Sequence, residues 1–482
     1  MKKTILTMAL LTAMTTAMAQ EHAEVDVHDR YTKVVTPVNG KYESKRPPVE
    51  ERLFTSAAVE KKIKEVQKLL KKNPKLAWMF ANCYPNTLES TVHYRVLENG
   101  DDDTFVYTGD IPAMWLRDSS CQFRPYILLA KEDQDIRRII LGILRRQFRL
   151  LTADPYANAF NREPTGAHYA PDKTQMLPEV WERKFELDSL CYPFQLSYLL
   201  WKNTGEVSQF DDKWLEAART AVSIMKREQN HQSDSSYRFI RTGMKFTETL
   251  SRDGKGTLTK DGISMVWSGL RPSYDACVYG HNIPQNMLAS VVLSEIHEIA
   301  GELLHLDDLA EQTRELSAEI RNAVFEYGVL PGLADPMFAY EVDGYGQYLI
   351  MDDANVPSLL AAPYIGFCEK TNSLYQNTRK SVLSEQNPYY FTGRILKGVG
   401  SPHTKTGRVW PIALAVQGLT AETSQEKREV LDMLVQSDNH EGLIHEAVDP
   451  DDVSQYSRPW FSWADSMYCE LVMEFCGMRL NL

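Results

Sequence analysis

An all-α fold, an (α/α)6 barrel with short β-hairpin arms in its loops, is predicted by three features of this 482-residue sequence. Amphipathic helix patterns recur from Thr55 to the C-terminus. Alternate members differ: 212–229 and 307–327 are charged on one face, whereas 187–203, 283–300 and 409–419 are apolar almost all round. The first kind suits an outer layer, the second an inner layer buried on both sides. Long loops before the apolar helices hold most of the Asp, Trp and His, which places a site at one mouth of the barrel.

Residues 1–19 read as a secretory signal, with Lys2 and Lys3, an apolar stretch from Ile5 to Met14, and the small-x-small site Ala17-Met-Ala19. The apolar run is too short to span a bilayer. No Cys follows the cleavage site, so no lipid or other membrane anchor is expected. Removing two lysines and no acid takes the net charge from -12 to -14. A periplasmic protein is expected. Residues 20–53, polar with Pro37, Pro47 and Pro48, read as an extended N-terminal arm.

Residues 54–482 are expected to form one barrel domain. Its candidate helices are 57–71, 120–130, 134–152, 187–203, 212–229, 283–300, 307–327, 356–365, 373–383, 409–419, 424–436 and 464–475, with 105–107 and 237–240 as hairpin strands. The seven cysteines are scattered without a C-x-x-C pair, which argues against a zinc cage; few or no disulfides are expected in a chain long enough to bury a large core. The acidic balance argues against a nucleic-acid partner.

The stretch from Thr108 to Ser120 concentrates Asp110, Asp118, Arg117, Trp115 and Pro112, with Asp118 or Ser119 as candidate N-cap of the following helix. Carboxylates and guanidinium groups hydrogen-bond sugar hydroxyls, and an indole stacks on a pyranose face. A capping turn with an ion pair is the alternative. Asp275, in Arg271-Pro-Ser-Tyr-Asp-Ala276, and Glu446, in Gly442-Leu-Ile-His-Glu446, lie on separate loops before inner-helix regions. Glycosidic hydrolysis needs two such carboxyl groups, one acid and one base, flanking the bond. Arg271 and His445 are placed to tune their charge. N-capping is the alternative for each acid, and the residues alone leave open which is acid and which base. Asp352, Asp353 and Asn355 lack an EF-hand pattern, so loop capping, or a hydroxyl-binding role for Asp353, is expected there. His403 and His445 are too isolated for a metal triad. Trp460 and Trp463 are candidates for the sugar cleft, His168 and Tyr169 for its rim.

T-G-D-I-P-A-M-W-L-R-D-S at 108–119, R-P-S-Y-D at 271–275, I-P-Q-N at 283–286, H-E at 445–446 and W-F-S-W-A-D at 460–465 together resemble glycoside hydrolase family 125. The likeness runs in order from about Val59 to the C-terminus. It implies an exo-acting α-mannosidase that favours terminal α-1,6-linked mannose, has an (α/α)6 barrel, inverts configuration and needs no metal or other cofactor. It implies Asp275 as general acid and Glu446 as general base. Members usually read R-P-S-D-D, so Tyr274 replaces an acid beside Asp275, and the pH optimum is the property this touches. The substrate expected is a mannose-containing oligosaccharide, held by Asp110, Trp115, Arg117 and Asp118, with Arg271, Asp353, His445 and Trp463 completing the pocket. Another inverting (α/α)6 glycosidase and a non-catalytic glycan-binding protein are the competing readings.

Overall fold

The computed structural model describes residues 42–243 and 246–481. The expected signal at 1–19, and the arm as far as residue 41, lie outside the described residues. The rest of the arm lies on the body: Tyr42 stacks on Trp78 at 4.7 Å, and Lys45 N donates to Asn82 at 3.1 Å. Arg46 bridges Glu60 and Glu89.

Helix α1 (Ala57–Leu69) starts at Ser56, whose hydroxyl accepts from the amides of Ala58 and Val59. It folds over α2 (Pro74–Ser90). Next comes the antiparallel hairpin β1 (Val92–Val96) and β2 (Asp102–Val106). Strand β3 (Met114–Trp115) runs straight into α3 (Leu116–Phe123). Thus α3 begins before the expected N-caps: Trp115 holds the cap position, and Asp118 lies in the first turn. Helix α4 (Gln134–Ala153), capped by Asp133, packs on β2.

Strands β4 (Ala159–Phe160) and β5 (Val180–Glu182) extend β3 into a three-stranded sheet. A 3-10 turn (Leu187–Leu190) leads into α5 (Tyr192–Thr204), which ends at left-handed Gly205. Helix α6 (Asp212–Glu228) follows. After a long loop, β6 (His281–Asn282) enters α7 (Ile283–Glu298), which pairs with α8 (Asp307–Gly328). Strands β7 (Glu341–Val342) and β8 (Tyr348–Leu349) pair with β6. Helix α9 (Ser373–Val382) precedes the hairpin β9 (Tyr390–Thr392) and β10 (Lys397–Val399). Helices α10 (Pro411–Leu419) and α11 (Ser424–Gln436), the hairpin β11 (Ala447–Val448) and β12 (Tyr456–Ser457), and α12 (Ser462–Phe475) complete the chain.

The expected layering is present. Helix α12 touches α3, α3 touches α5, α5 touches α7, and α10 touches α12, while the amphipathic α4, α6, α8 and α11 lie outside. Two expectations fail. Residues 356–365 form turns instead of an inner helix: Pro357 and Pro363 lack the amide donors that a helix there would use, and Asp352 accepts from the amides of Leu359 and Leu360. Gly366 in this segment lies against Val291 of α7, and Tyr364 reaches Glu470 of α12, so it fills the gap in the ring. Residues 237–240 join no ladder; Phe239 N and Ile240 O each make one bond, to Gly254 and Lys173. Conversely α2, which carries Pro85 and two asparagines, was not expected. All seven cysteines are free.

Because each inner helix is preceded by a loop at the same end, these helices point their amide-bearing N-termini toward one mouth. Two stability predictions follow from the packing. A Cβ at Gly142 of α4 would lie 2.3 Å from Thr104 Oγ1 and 3.0 Å from Thr104 N. Gly142→Ala is expected to cost about 1–3 kcal/mol in denaturant unfolding, despite alanine's better helix propensity. Asp465 of α12 is buried, its Oδ1 accepts from Ile444 N at 2.8 Å, and burial pushes its carboxyl up to about 8. A folded value above the unfolded one (about 3.9) gives stability that is complete at low pH and lost as pH rises toward 8. Melting temperature should fall from pH 5 to pH 8, and Asp465→Asn, which keeps the acceptor and cannot ionise, should flatten that fall.

Candidate active site

The segment from Thr108 to Ser120 is built against the start of α12. Gly109 has φ +133°, and a Cβ on it would lie 2.4 Å from Trp460 O, so no other residue fits without displacing that strand. Asp110 N donates to Trp460 O and Ser462 N donates to Thr108 O. This pairing brings Asp110 to Arg458, whose Nε donates to Asp110 Oδ1 at 2.8 Å. Arg458 Nη1 faces Glu446 Oε1 at 3.6 Å, and Ser457 Oγ donates to Glu446 Oε2 at 2.9 Å. The β11–β12 hairpin therefore sets Glu446, immediately before one strand, opposite donors on and just beyond the other. Burial opposes the charge of Arg458, but Asp110 and then Glu446 hold it strongly protonated.

The loop from Arg271 to Ala276 is held from every side. Arg271 N donates to Asp275 O, Tyr274 N donates to Arg271 O, and Tyr274 sits in the left-handed region at φ 77°. Asn355 donates to Pro272 O at 2.8 Å, Ser273 donates to Asp353 at 2.5 Å, and Lys184 donates to Tyr274 O at 3.1 Å. Asp275 Oδ1 faces His403 Nδ1 at 3.1 Å. The ring of Tyr274 packs between Trp115 (6.2 Å) and His403 (5.2 Å), and so joins the acid loop to β3.

Beneath these loops lies a closed ion cluster. Arg117 is fully buried and donates to Glu186 (2.7 Å) and Asp188 (3.0 Å), with Asp118 at 3.5 Å from its Nε. Its guanidinium lies 5.4 Å from the Tyr274 ring and 5.7 Å from that of Trp463. Burial pushes the carboxyls of both Glu186 and Asp188 up against the pull of Arg117. Thr108 donates to Asp118 at 2.6 Å.

The predicted residues thus divide. Asp110 and Glu446 share Arg458, while Asp275 follows Tyr274, whose ring lies against Trp115. Arg117, Asp118, Trp463 and His445 are 0 % exposed, so they support the site from behind instead of lining it. His445 stacks on Tyr456 at 3.8 Å, and burial lowers it to about 4. Arg271 is held by Glu341 at 2.6 Å, and Asp353 ties Ser273 in place, so both are loop anchors. Trp460 is buried with its indole N–H on Asn86, while Tyr169 is 46 % exposed over Arg241, as a rim residue should be. Arg458 and His403 were missed as site members. Arg458 stands just ahead of the W-F-S-W-A-D run, a cation among apolar and aromatic residues that needs an acid partner; for His403 no local pattern gave a signal.

Several buried polar atoms around this floor have no hydrogen-bond partner among the described residues: Trp115 Nε1, Glu186 Oε1, Asp188 Oδ1, Asp353 Oδ1 and Trp463 Nε1. Such orphans cost about 1–3 kcal/mol each and mark sites kept polar for a purpose. A cavity of about 450 Å³ opens beside Asp275, walled by Arg271, Val278, Met351, Tyr389 and Pro402. A larger one, about 630 Å³, adjoins Tyr156, Lys173, Arg183 and Arg238, but its one acid, Asp154, is already paired with Arg183, so it lacks opposed carboxyl groups. No group of three metal-ligating side chains occurs among the described residues.

Comparison with known proteins fits this arrangement. A solved Streptococcus pneumoniae metal-independent α-mannosidase, in a non-productive complex with α-1,6-mannobiose, is 44% identical with a TM-score of 0.85, covering 89% of this chain and all of that one. The meiotically up-regulated gene 157 protein of Schizosaccharomyces pombe is 38% identical over 456 residues, 91% of this chain and 89% of that protein. A bacterial glucoamylase, 12% identical with a TM-score of 0.54 over 86% of this chain and 57% of its own, shares the fold. The family described as metal-independent α-mannosidase, GH125, matches residues 73–473. The chain belongs to glycoside hydrolase family 125, the metal-independent α-mannosidases.

Proposed function

We propose that this α-mannosidase removes terminal, non-reducing α-1,6-linked mannose with inversion of configuration, as an exported enzyme of glycan degradation. The observation that carries the reading is the pair of carboxyl groups on separate loops at one mouth, each with a different kind of partner. Both neighbours of Glu446, Ser457 and Arg458, are donors, the arrangement a general base needs. Asp275 instead meets a histidine, beside a cavity with room for a leaving sugar.

Terminal mannose enters with Asp110 and Arg458 on one side of it and Trp115 and Tyr274 behind. Asp275 gives its proton to the glycosidic oxygen as the bond to C1 breaks. Glu446 takes a proton from the water attacking C1 on the opposite face, so an α-linkage yields β-mannose. The linkage preference is supported by the mannobiose held by the pneumococcal relative. The N-terminal signal pattern supports a periplasmic enzyme that trims oligosaccharides already inside the outer membrane.

Proton NMR of the protein with α-1,6-mannobiose and excess EDTA tests the activity directly. β-Mannose should be the first anomer seen; first release of α-mannose would overturn the Asp275 and Glu446 roles, and no cleavage of this linkage would overturn the substrate. Asp275→Asn and Glu446→Gln should each lower turnover by about 10²-fold or more while circular dichroism stays unchanged. Cell fractionation should find the protein in the periplasm; recovery from the cytosol would overturn the export reading.

A further inference from the structure

A carboxylic acid can donate to a leaving group from only one of its two oxygens at a time. Nothing in Asp275 itself selects which oxygen carries the proton. The surroundings do: Oδ1 faces His403 Nδ1 at 3.1 Å, and the carboxyl is 3 % exposed where the imidazole is 20 % exposed. An imidazole nitrogen that donates to Oδ1 occupies that oxygen as an acceptor and confines the acidic proton to Oδ2.

His403 is held for this purpose from both directions. Its backbone amide donates to Ser401 Oγ at 3.2 Å, and Thr404 receives the indole N–H of Trp410 at 2.9 Å. The segment after Met351 ties the two loops together: Asp353 accepts from Ser273 of the Asp275 loop, and Ala354 N donates to Gly400 O, just ahead of the His403 loop. The ring of Tyr274 lies against that of His403 at 5.2 Å. The carboxylate of Glu248, held by Lys184 (3.2 Å) and Arg241 (3.0 Å), also faces this histidine, so His403 stands between two acids, of which Asp275 is within hydrogen-bond distance.

We propose that His403 is a positioning residue for the reaction: its Nδ1–H donates to Asp275 Oδ1 and thereby places the transferable proton on Oδ2, facing the glycosidic oxygen. The role acts through Asp275 and rests on the reading of Asp275 as general acid. No other group enters the step; the proton leaves Oδ2 for the leaving oxygen, and the histidine keeps its own.

The test compares His403→Ala with His403→Asn, whose side-chain amide overlays Nδ1 and keeps a donor but lacks the ring. On α-1,6-mannobiose, His403→Ala should lower kcat about 10–100-fold with KM nearly unchanged, and His403→Asn should recover much of the loss. On 2,4-dinitrophenyl α-mannoside, whose leaving group departs without protonation, His403→Ala should lose far less. Equal losses on both substrates, or an Asn variant no better than Ala, would overturn the proposal and leave His403 as packing for Tyr274. Asp275→Asn, assayed alongside, separates the two readings. If it is inactive on mannobiose while the His403 variants behave alike on both substrates, only the positioning role falls; if it is active, the acid assignment falls first.

Discussion

Arg117 is the constraint on which the site depends. A guanidinium withdrawn from water costs several kcal/mol unless carboxylates and hydrogen bonds surround it. Here Asp118, Glu186 and Asp188 do so, and the faces of Tyr274 and Trp463 close the cage. Those partners come from α3, the 3-10 turn before α5, the acid loop and α12. One charge on α3 therefore ties three other elements to it: the 3-10 turn, the Asp275 loop and α12. Burial, together with the surplus of acids over bases in this cage, pushes both Glu186 and Asp188 toward the protonated form.

Above that floor the loops are joined in pairs. Gly109 lets the first loop pass against Trp460, which sets Asp110 on Arg458 and Arg458 on Glu446. Asp353 and Ala354 join the Asp275 loop to that of His403. The Asp275 and Glu446 sides are thus built separately, and Tyr274 on the first touches Trp115, His403 and Arg117. A tyrosine in that position gives the acid side an apolar, hydroxyl-tipped neighbour where relatives of the usual pattern carry a second carboxylate.

Periodicity carried most of the layering, because an inner helix must be apolar on both sides and an outer one on a single side. It failed at α2, where Pro85 and the asparagines that bond neighbouring loops resemble a loop composition, and at 356–365, where apolar residues are buried without being helical. The residue types of the 108–119 stretch marked it as a candidate sugar site, but which of them are buried beneath the surface was not legible. Arg117 and Asp118 looked like ligands because buried charges are rare; their partners, Glu186 and Asp188, lie about 70 residues away, a distance no local pattern spans. Arg458 and His403 gain their meaning only from contacts with Asp110, Glu446 and Asp275, each on another loop.

The seven free cysteines carry a consequence of their own. Burial pushes every one of these thiols up, Cys368 to about 11 and five of the others well beyond the ordinary range. Since the thiolate is the species that reacts, burial slows oxidation of these sulfurs in the folded protein, least so at half-buried Cys368 and Cys476, whereas the unfolded chain exposes all seven at once. In an oxidising medium the chain faces a one-way ratchet: each excursion to the unfolded state risks a mispaired bridge that the native packing has no room to accept. Its lifetime there is set by how rarely it opens, a kinetic property, more than by the equilibrium between folded and unfolded forms.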